Sequence, residues 1–215
     1  MIITSAKPVY NYCRIKPMIY GKVITKPVLY IMNHHSFLDS IILKSIVPYK
    51  TKFVCKSDAS NETIFKKYTQ QLIENFNVIT YVKGDKDSGK KVRNDIVDNI
   101  QNGNSVFIFP EGTSYIDYPH SFYPGSFETA FTNNLSIQPI TIKYKTNIQW
   151  GTGTNLQLYQ KDILTNIKYC LNQDNPVNIT FHSVVEPTDF NNANHLKLFC
   201  ETIIMDEWIN EHHYL

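Results

Sequence analysis

Short apolar runs alternate with amphipathic segments along most of this chain. The apolar runs are typical of buried strands and lie at 28–33, 52–56, 78–82, 105–109, 137–144 and 177–185. The amphipathic segments predict helices at 36–47, 62–73, 90–101, 127–131, 162–171 and 191–211. This alternation predicts an α/β fold with a largely parallel central sheet flanked by helices.

Pro139 stands within the predicted strand at 137–144. Proline has no backbone N–H to donate, so we expect this strand to lie at a sheet edge or to begin near the proline. No repeat, low-complexity segment or linker divides the 215 residues. We therefore expect a single domain over 1–215, with its core at 28–144 and a candidate membrane-surface segment at 1–27.

Charge is distributed unevenly, although the formal net charge is only +2. Residues 1–108 hold 16 Lys and Arg against 8 Asp and Glu, whereas residues 109–215 hold 5 against 11. No acid precedes Asp39, and tyrosines accompany the early basic residues Lys7, Arg14, Lys16, Lys22 and Lys26. Such a face suits an anionic surface such as lipid headgroups, and a solvated face without a partner is the alternative. Nucleic acid is not expected as a partner, because no recognition motif accompanies the basic half.

Targeting and metal-binding patterns are missing from the sequence. The N-terminus has no apolar stretch typical of a signal peptide, and no apolar run is long enough to span a bilayer. The four cysteines are scattered without a CxxC pair, which is typical of reduced thiols in a cytosolic protein. We therefore expect a cytoplasmic protein, peripheral at the membrane surface, that binds no metal. The stretch from Gly84 to Lys91 nearly matches a phosphate-binding loop, but Lys91 replaces the Ser or Thr that holds Mg²⁺.

The first candidate for chemistry is an imidazole followed by a carboxylate, in Asn33-His34-His35-Ser36-Phe37-Leu38-Asp39. A neutral imidazole can take a proton from a hydroxyl, and a carboxylate can fix its tautomer and stabilise its charged form. On one regular helix, side chains five apart point about 140° apart. His34 and Asp39 can therefore meet only if His34 precedes a helix whose first turn contains Asp39, and Ser36 is a good N-cap for it. An ordinary helix start remains the alternative, and His35 is a competing base.

The second candidate is a carboxylate on a turn, in Phe109-Pro110-Glu111-Gly112-Thr113. Pro110 stiffens the exit from the preceding strand, and Gly112 permits a tight turn or a close approach of the backbone to a ligand. Glu111 could then meet a hydroxyl, and Thr113 a phosphate or carbonyl oxygen. A plain strand-to-loop turn is the alternative.

The two motifs in this order resemble the glycerolipid acyltransferase family, whose members include the 1-acylglycerol-3-phosphate acyltransferases. The match is of the His-x4-Asp box to His34 and Asp39 and of the Phe-Pro-Glu-Gly-Thr box to residues 109–113. Less specific similarity extends over roughly 28–144. The resemblance implies a glycerol-3-phosphate acyltransferase-like αβ fold. It also implies that His34 is the general base, that Asp39 is its partner, and that Glu111 and Gly112 bind the acceptor.

The resemblance also implies the substrates. A fatty acyl group would pass from acyl-CoA or acyl-carrier protein to the hydroxyl of a lysolipid, without a bound cofactor or a covalent acyl-enzyme. The acceptor expected first is 1-acylglycerol-3-phosphate, which would give phosphatidic acid in phospholipid biosynthesis. Thr113, Ser114 and Lys83 complete the predicted acceptor-binding residues.

Two departures from the family pattern concern the acceptor. Lys83 is the nearest cation where the family usually has a phosphate-contacting Arg, and Ser114 stands where many members have Arg. Lysine lacks the bidentate fork of arginine. A Ser at this position resembles bacterial subgroups that acylate lyso-ornithine lipid, so that lipid is the alternative acceptor. A lipid-binding protein without turnover is the alternative from another class, and the complete His34 and Asp39 pair argues against it.

Overall fold

The structure is a computed structural model that describes residues 15–36, 38–56, 78–115, 119–144 and 175–210. The strands are β1 Ile15–Gly21, β2 Leu29–Met32, β3 Lys52–Lys56, β4 Val78–Tyr81, β5 Val106–Ile108, β6 Ile137–Tyr144 and β7 Asn175–Phe181. The helices are α1 Leu38–Lys44, α2 Lys86–Gln101, α3 Gly125–Thr132 and α4 Ala193–Asn210, with a 3-10 turn at Pro187–Asp189. The predicted helices at 62–73 and 162–171 lie outside the described residues.

The seven strands form one sheet in the order β1-β7-β6-β2-β5-β3-β4. The five strands from β6 to β4 are parallel to one another, whereas β7 is antiparallel to β6 and parallel to β1. The largely parallel sheet flanked by helices that the sequence predicts is therefore confirmed. The carboxyl ends of the five parallel strands share one edge, which we call the carboxyl edge of the sheet.

Helices cover both faces of the sheet because the central strands are apolar on both sides. In β2, Tyr30 and Met32 pack with α1, while Leu29 and Ile31 pack on the opposite face. That opposite face is covered by α2, α3 and α4, whose buried residues include Ile96, Phe127 and Ile204. All four residues of β2 are fully buried, so the strand that precedes His34 lies at the centre of the core.

The ends of two helices differ from the predicted bounds for local reasons. The predicted helix at 90–101 begins earlier, at Lys86, because Asp85 Oδ1 accepts the backbone N–H groups of Asp87 and Ser88 at 2.8 and 2.9 Å. The predicted helix at 36–47 is described as α1 only over Leu38–Lys44. The buried Lys44 ammonium donates to the carbonyl oxygens of Tyr49 and Thr51 and so holds the chain that leaves the helix. Burial, with a smaller effect from Lys52, lowers the pKa of Lys44.

Of the two positions expected for Pro139, the sheet edge was wrong, because β6 lies inside the sheet between β7 and β2. The strand does begin close to the proline, at Ile137. The regular pairing of β6 with β7 begins only at Ile140 opposite Phe181. On that side of β6, the Ile137 N–H donates to Val185 and the Pro139 carbonyl accepts from His182. The nitrogen of Pro139 points to the same side, toward a stretch where the β7 ladder has already ended. No ladder hydrogen bond is therefore lost, and an interior strand tolerates the proline.

Strand β1 was not predicted, and it changes the interpretation of the candidate membrane-surface segment at 1–27. Ile15–Gly21 pairs in parallel with β7 along its whole length and forms one edge of the sheet. The part of that segment from Ile15 onward therefore belongs to the folded domain. Because β1 is antiparallel to β2, its last residues lie at the edge opposite the carboxyl edge.

Candidate functional site

The two sequence motifs meet at the carboxyl edge because their strands are neighbours. His34 follows β2 and Glu111 follows β5, and these strands pair in parallel from Leu29 opposite Val106. Parallel neighbours bring the segments that follow them to the same edge, about 4.8 Å apart. Residues 77 positions apart in the chain therefore come into direct contact at this edge.

His34 and Asp39 form a hydrogen-bonded pair in the arrangement that their spacing requires. His34 precedes α1, Asp39 lies in its first turn, and His34 Nδ1 is 2.9 Å from Asp39 Oδ2. The Asp39 side chain is fully buried, whereas that of His34 is 18% exposed. One end of the imidazole is thus held inside the protein while its ring remains partly accessible.

The start of α1 aims the carboxylate at the imidazole. Asp39 Oδ2 also accepts the backbone N–H groups of His35 at 2.7 Å and Ser36 at 2.8 Å. The bond to Ser36 is the half of a capping box in which the acidic side chain reaches back to the N-cap residue. The same contacts that begin the helix therefore fix Asp39 beside His34.

The hydrogen bond to Asp39 assigns the protons on the His34 ring. A carboxylate only accepts hydrogen bonds, so Nδ1 carries the proton and donates it to Asp39 Oδ2. In the neutral imidazole Nε2 then has an unshared electron pair. Among the described residues Nε2 has no hydrogen-bond partner, so it can act as a base toward a hydroxyl. The His34 ring also stacks on Phe109, with ring centres 3.8 Å apart.

His35, the competing base, has a different environment. Its side chain is buried, and its ring stacks on Tyr144 with centres 5.3 Å apart. Its backbone N–H, rather than its ring, donates the bond of 2.7 Å to Asp39 Oδ2. The contact between an imidazole and the carboxylate therefore belongs to His34.

Glu111 is buried between the two loops of the site. Its Oε1 accepts the backbone N–H of His34 at 2.6 Å, and its Oε2 accepts that of His120 at 2.9 Å. Only 2% of Glu111 is exposed. The carboxylate that sequence reasoning assigned to acceptor binding thus also fixes the backbone that carries His34.

The turn after Glu111 is tight and packed. Gly112 has φ +70°, and its N–H donates to the Phe109 carbonyl at 3.1 Å. A Cβ at this position would lie 3.0 Å from the Tyr123 ring, so the turn favours glycine both by its backbone angle and by its neighbour. Beyond the turn, the Tyr115 N–H donates to the His34 carbonyl at 2.8 Å. Both backbone polar groups of His34 are therefore held, the N–H by Glu111 of the second motif and the carbonyl by Tyr115 just beyond it.

The other predicted acceptor-binding residues lie at different distances from His34. Thr113 and Ser114 continue directly from the turn, Thr113 partly accessible and Ser114 buried. Lys83 is exposed and follows β4, which is three strands from β2 in the sheet order. Three strand spacings correspond to about 14 Å, so the structure does not bring Lys83 beside His34.

Sequence reasoning missed two residues that hold the site together. The side chain of Asn33 bonds to both backbone groups of Ile142, donating to its carbonyl at 2.9 Å and accepting from its N–H at 2.8 Å. The Tyr144 hydroxyl donates to Asp39 Oδ1 at 2.7 Å. Asn33 was visible in the first motif, but Tyr144 carried no sequence signal beyond its place at the end of a strand.

The described side chains and helices bear on the expected metal and membrane properties. Across the described ranges, no group of three or more His, Cys, Asp or Glu side chains is arranged to hold a metal ion. None of the helices within those ranges is both long enough and apolar enough to cross a membrane.

Comparisons with known proteins are consistent with the resemblance seen in the sequence. A sequence model of the acyltransferase family matches residues 11–143, more than half of the chain. A search of curated proteins found no match. Among solved structures, the chain is similar to the 1-acyl-sn-glycerophosphate (LPA) acyltransferase PlsC from Thermotoga maritima. The TM-score is 0.69 and the identity 16%, covering 98% of this chain and 78% of that chain. At this identity the likeness concerns the fold.

Proposed function

The chain belongs to the acyltransferase family, and on that premise we propose that it moves a fatty acyl group from a thioester to the hydroxyl of a lysolipid. The donor is acyl-CoA or acyl-carrier protein, which acts as a co-substrate, so no bound cofactor is required. The observation that carries this proposal is the hydrogen bond of 2.9 Å between His34 Nδ1 and buried Asp39. It leaves Nε2 unprotonated on a ring that solvent and substrate can reach.

The proposed reaction uses His34 first as a base and then as an acid. Nε2 takes the proton of the lysolipid hydroxyl while the oxygen attacks the thioester carbonyl carbon. Asp39 stabilises the imidazolium and keeps its orientation. The tetrahedral intermediate then collapses, the C–S bond breaks, and the leaving thiolate takes the proton back from Nε2. The products are an ester and a free thiol, and His34 is returned to its starting form.

The acceptor that we propose is 1-acylglycerol-3-phosphate, with phosphatidic acid as the product. Its support is the similarity in fold to the Thermotoga maritima protein, which is a 1-acyl-sn-glycerophosphate (LPA) acyltransferase. In this proposal Gly112, Thr113 and Ser114 line the acceptor-binding site beside His34. Glu111 holds the backbone of His34 in place. Lys83 would contribute to the attraction of a phosphate only at a distance, because it follows β4.

Lyso-ornithine lipid is the second candidate acceptor. It is favoured by the exposed position of Lys83 after β4 and by Ser114, whose buried side chain carries no charge. A lipid that lacks a phosphate needs no cation beside His34. The two acceptors therefore predict different selectivity from the same catalytic pair.

The test is acyl transfer by the purified full chain. Radiolabelled acyl-CoA and acyl-carrier protein are each offered with 1-acylglycerol-3-phosphate, lyso-ornithine lipid and lysophosphatidylcholine. We expect transfer to 1-acylglycerol-3-phosphate, and His34→Ala should lower kcat by about 10³-fold because the base is lost. Selective transfer to lyso-ornithine lipid would select the second acceptor. Lysolipid binding without transfer from either thioester would overturn the enzyme proposal.

Two histidine variants serve as controls for His34→Ala. His195→Ala removes an exposed imidazole at the start of α4 and should leave the rate unchanged. His35→Gln removes the competing base and should cost far less than His34→Ala, because the His35 ring packs on Tyr144. If folded His35→Gln protein loses more kcat than His34→Ala, then His35 rather than His34 is the base.

We also propose that the protein works in the cytoplasm at a membrane surface, because a lysolipid acceptor resides in one. The expected contact is electrostatic, between basic residues and anionic headgroups. Of the described early basic residues, Lys16 lies at the start of β1 near the carboxyl edge, whereas Lys22 and Lys26 follow the end of β1 near the opposite edge.

A further inference from the structure

The carboxylate of Asp39 is held from two sides, and only one of them belongs to the first motif. Its Oδ2 faces His34 Nδ1 and the backbone N–H groups of His35 and Ser36. Its Oδ1 accepts the hydroxyl of Tyr144 at 2.7 Å. Tyr144 is 105 residues further along the chain and lies on a different strand.

The fold brings Tyr144 to Asp39 because β6 is longer than its neighbour. Residues Leu29 to Met32 of β2 pair with Ile137 to Ile140 of β6, and β6 then continues to Tyr144. The Asn33 side chain bonds to Ile142 and keeps this extension beside the chain that leads to His34. The Tyr144 ring is buried and stacks on His35, which limits the positions open to its hydroxyl.

We propose that Tyr144 is a positioning residue for acyl transfer, acting through Asp39 on the tautomer and orientation of His34. This inference rests on the proposed function for its kinetic part. Three donors on Oδ2 and one on Oδ1 fix the plane of the carboxylate, so that Oδ2 stays directed at Nδ1. Without the hydroxyl, Oδ1 would be a buried acceptor deprived of this donor, and the carboxylate would gain by rotating toward other donors. The imidazole would then lose its fixed partner for Nδ1.

The test compares Tyr144→Phe with Tyr30→Phe, which removes the same atom elsewhere in the core. Tyr30 is fully buried in β2, and its hydroxyl donates to the Ile24 carbonyl at 2.6 Å. We expect Tyr144→Phe to lower kcat about 10-fold with KM changed less than about twofold. Tyr30→Phe should keep kcat within about twofold, even where it lowers the thermal midpoint equally. Equal kcat losses in the two variants, or a change in KM alone, would overturn the proposal.

A second measurement does not need turnover. In ¹⁵N spectra of the histidine rings, His34 of the unchanged protein and of Tyr30→Phe should show one tautomer, protonated at Nδ1. Tyr144→Phe should show a mixture of the two tautomers. A single unchanged tautomer in Tyr144→Phe would overturn the inference. An unchanged protein that transfers no acyl group would instead overturn the proposed function and leave the spectral comparison valid.

Two further variants test whether a substituted ring that keeps its hydroxyl retains activity, and whether the hydroxyl acts through Asp39. Replacement of Tyr144 by 3-fluorotyrosine retains the hydroxyl and should keep kcat within about twofold. In an Asp39→Asn background, Tyr144→Phe should cause no further loss of kcat, because the carboxylate through which it acts is gone. A loss in the fluorotyrosine protein as large as that of Tyr144→Phe, or a full additional loss in the double variant, would contradict the proposed role.

Discussion

At the scale of single residues, Glu111 connects the loop that carries His34 with the loop that carries His120. One carboxylate accepts the backbone N–H of His34 and that of His120, so both loops are held by the same buried group. A buried carboxylate with two amide donors has little freedom to move. Its position therefore controls where the backbone of His34 lies.

Glu111→Ala should lower kcat by about 100-fold with a small change in KM, because two partly buried N–H groups lose their acceptor and the backbone of His34 shifts. Steady-state kinetics with varied acceptor separate the two parameters. Glu128→Ala, which removes an exposed carboxylate from α3, is the control and should change neither. A rise in KM at constant kcat would instead indicate that Glu111 binds the acceptor directly.

Gly112 and Gly103 form a matched pair for substitution. Both have positive φ, +70° and +84°, but only at Gly112 would a Cβ meet a neighbour, the Tyr123 ring. Alanine at either position should cost about 1 kcal/mol of unfolding free energy from backbone strain, measured by urea denaturation. Only Gly112→Ala should also reduce acyl transfer, since it displaces the turn after Glu111. Equal activity in the two variants would show that this turn tolerates displacement.

At the scale of elements, α4 supports the loop that carries His120. Glu201 on α4 accepts the backbone N–H of Phe122 at 2.8 Å and pairs with Lys197 at 2.7 Å. Both side chains of the pair are largely buried. The helix thus anchors the 119–123 segment to the sheet face on which α3 also packs.

Glu201→Ala should lower the free energy of unfolding by about 2–3 kcal/mol, because it leaves a buried N–H without its acceptor and the Lys197 ammonium without its partner. Urea denaturation measures the change. Asp206→Ala on the same helix removes an exposed carboxylate and should change stability by less than about 0.5 kcal/mol. If both variants lose a similar free energy of unfolding, the loss reflects a general weakening of helix α4 rather than the bond to Phe122.

At the scale of the whole molecule, β1 separates the described early basic residues into two groups. Lys16 lies near the start of β1, on the side of the sheet where β6 ends at Tyr144. Lys22 and Lys26 follow the end of β1 and are exposed near the start of β2. Lys16 and Lys22 are six positions apart, which corresponds to about 20 Å of extended chain. Among the described early basic residues, Lys16 therefore lies apart from Lys22 and Lys26, while Lys7 and Arg14 lie outside the described residues.

Lys16→Gln should weaken binding to anionic vesicles more than Lys22→Gln or Lys26→Gln, because a membrane that delivers acceptor to His34 must face the carboxyl edge. Cosedimentation with phosphatidylglycerol-containing vesicles at low and high salt measures the difference. The Lys22 and Lys26 variants are matched controls, since each removes one positive charge from the opposite edge. Weaker binding only in these two variants would place the membrane at the wrong edge for the proposed reaction.

Stability should fall at alkaline pH because burial raises the pKa of the Cys200 thiol to about 12, from an ordinary value of 9.0. Between these values the unfolded chain releases the thiol proton while the folded chain retains it. The free energy of unfolding should therefore be unaffected by this group below pH 9 and fall above it, by at most about 1.4 kcal/mol per pH unit. Urea denaturation from pH 7 to 10.5 measures the slope, which Cys200→Ala should reduce. An unchanged slope in that variant would assign the alkaline loss to other groups.

Much of the fold follows from the chain pattern, and the exceptions have physical causes. The apolar runs that became β2, β5 and β6 are buried on both faces or nearly so, which makes them conspicuous in sequence. Strand β1 escaped notice because an edge strand that contains Lys16 and Pro17 lacks such a run. Pro139 pointed to an edge strand because proline cannot donate to a ladder. The strand is nevertheless interior, since the ladder with β7 begins only at Ile140, after the proline.

The sequence by itself determined the pairing of His34 with Asp39. These residues are five apart, and the helix that begins between them needs contacts only within one turn. The tertiary structure alone decided how that pair is supported. Glu111 and Tyr144 reach it across 77 and 105 residues of chain, because the strand order places β5 and β6 on either side of β2. Local spacing can encode a contact within a turn, whereas contacts between strands depend on which strands become neighbours.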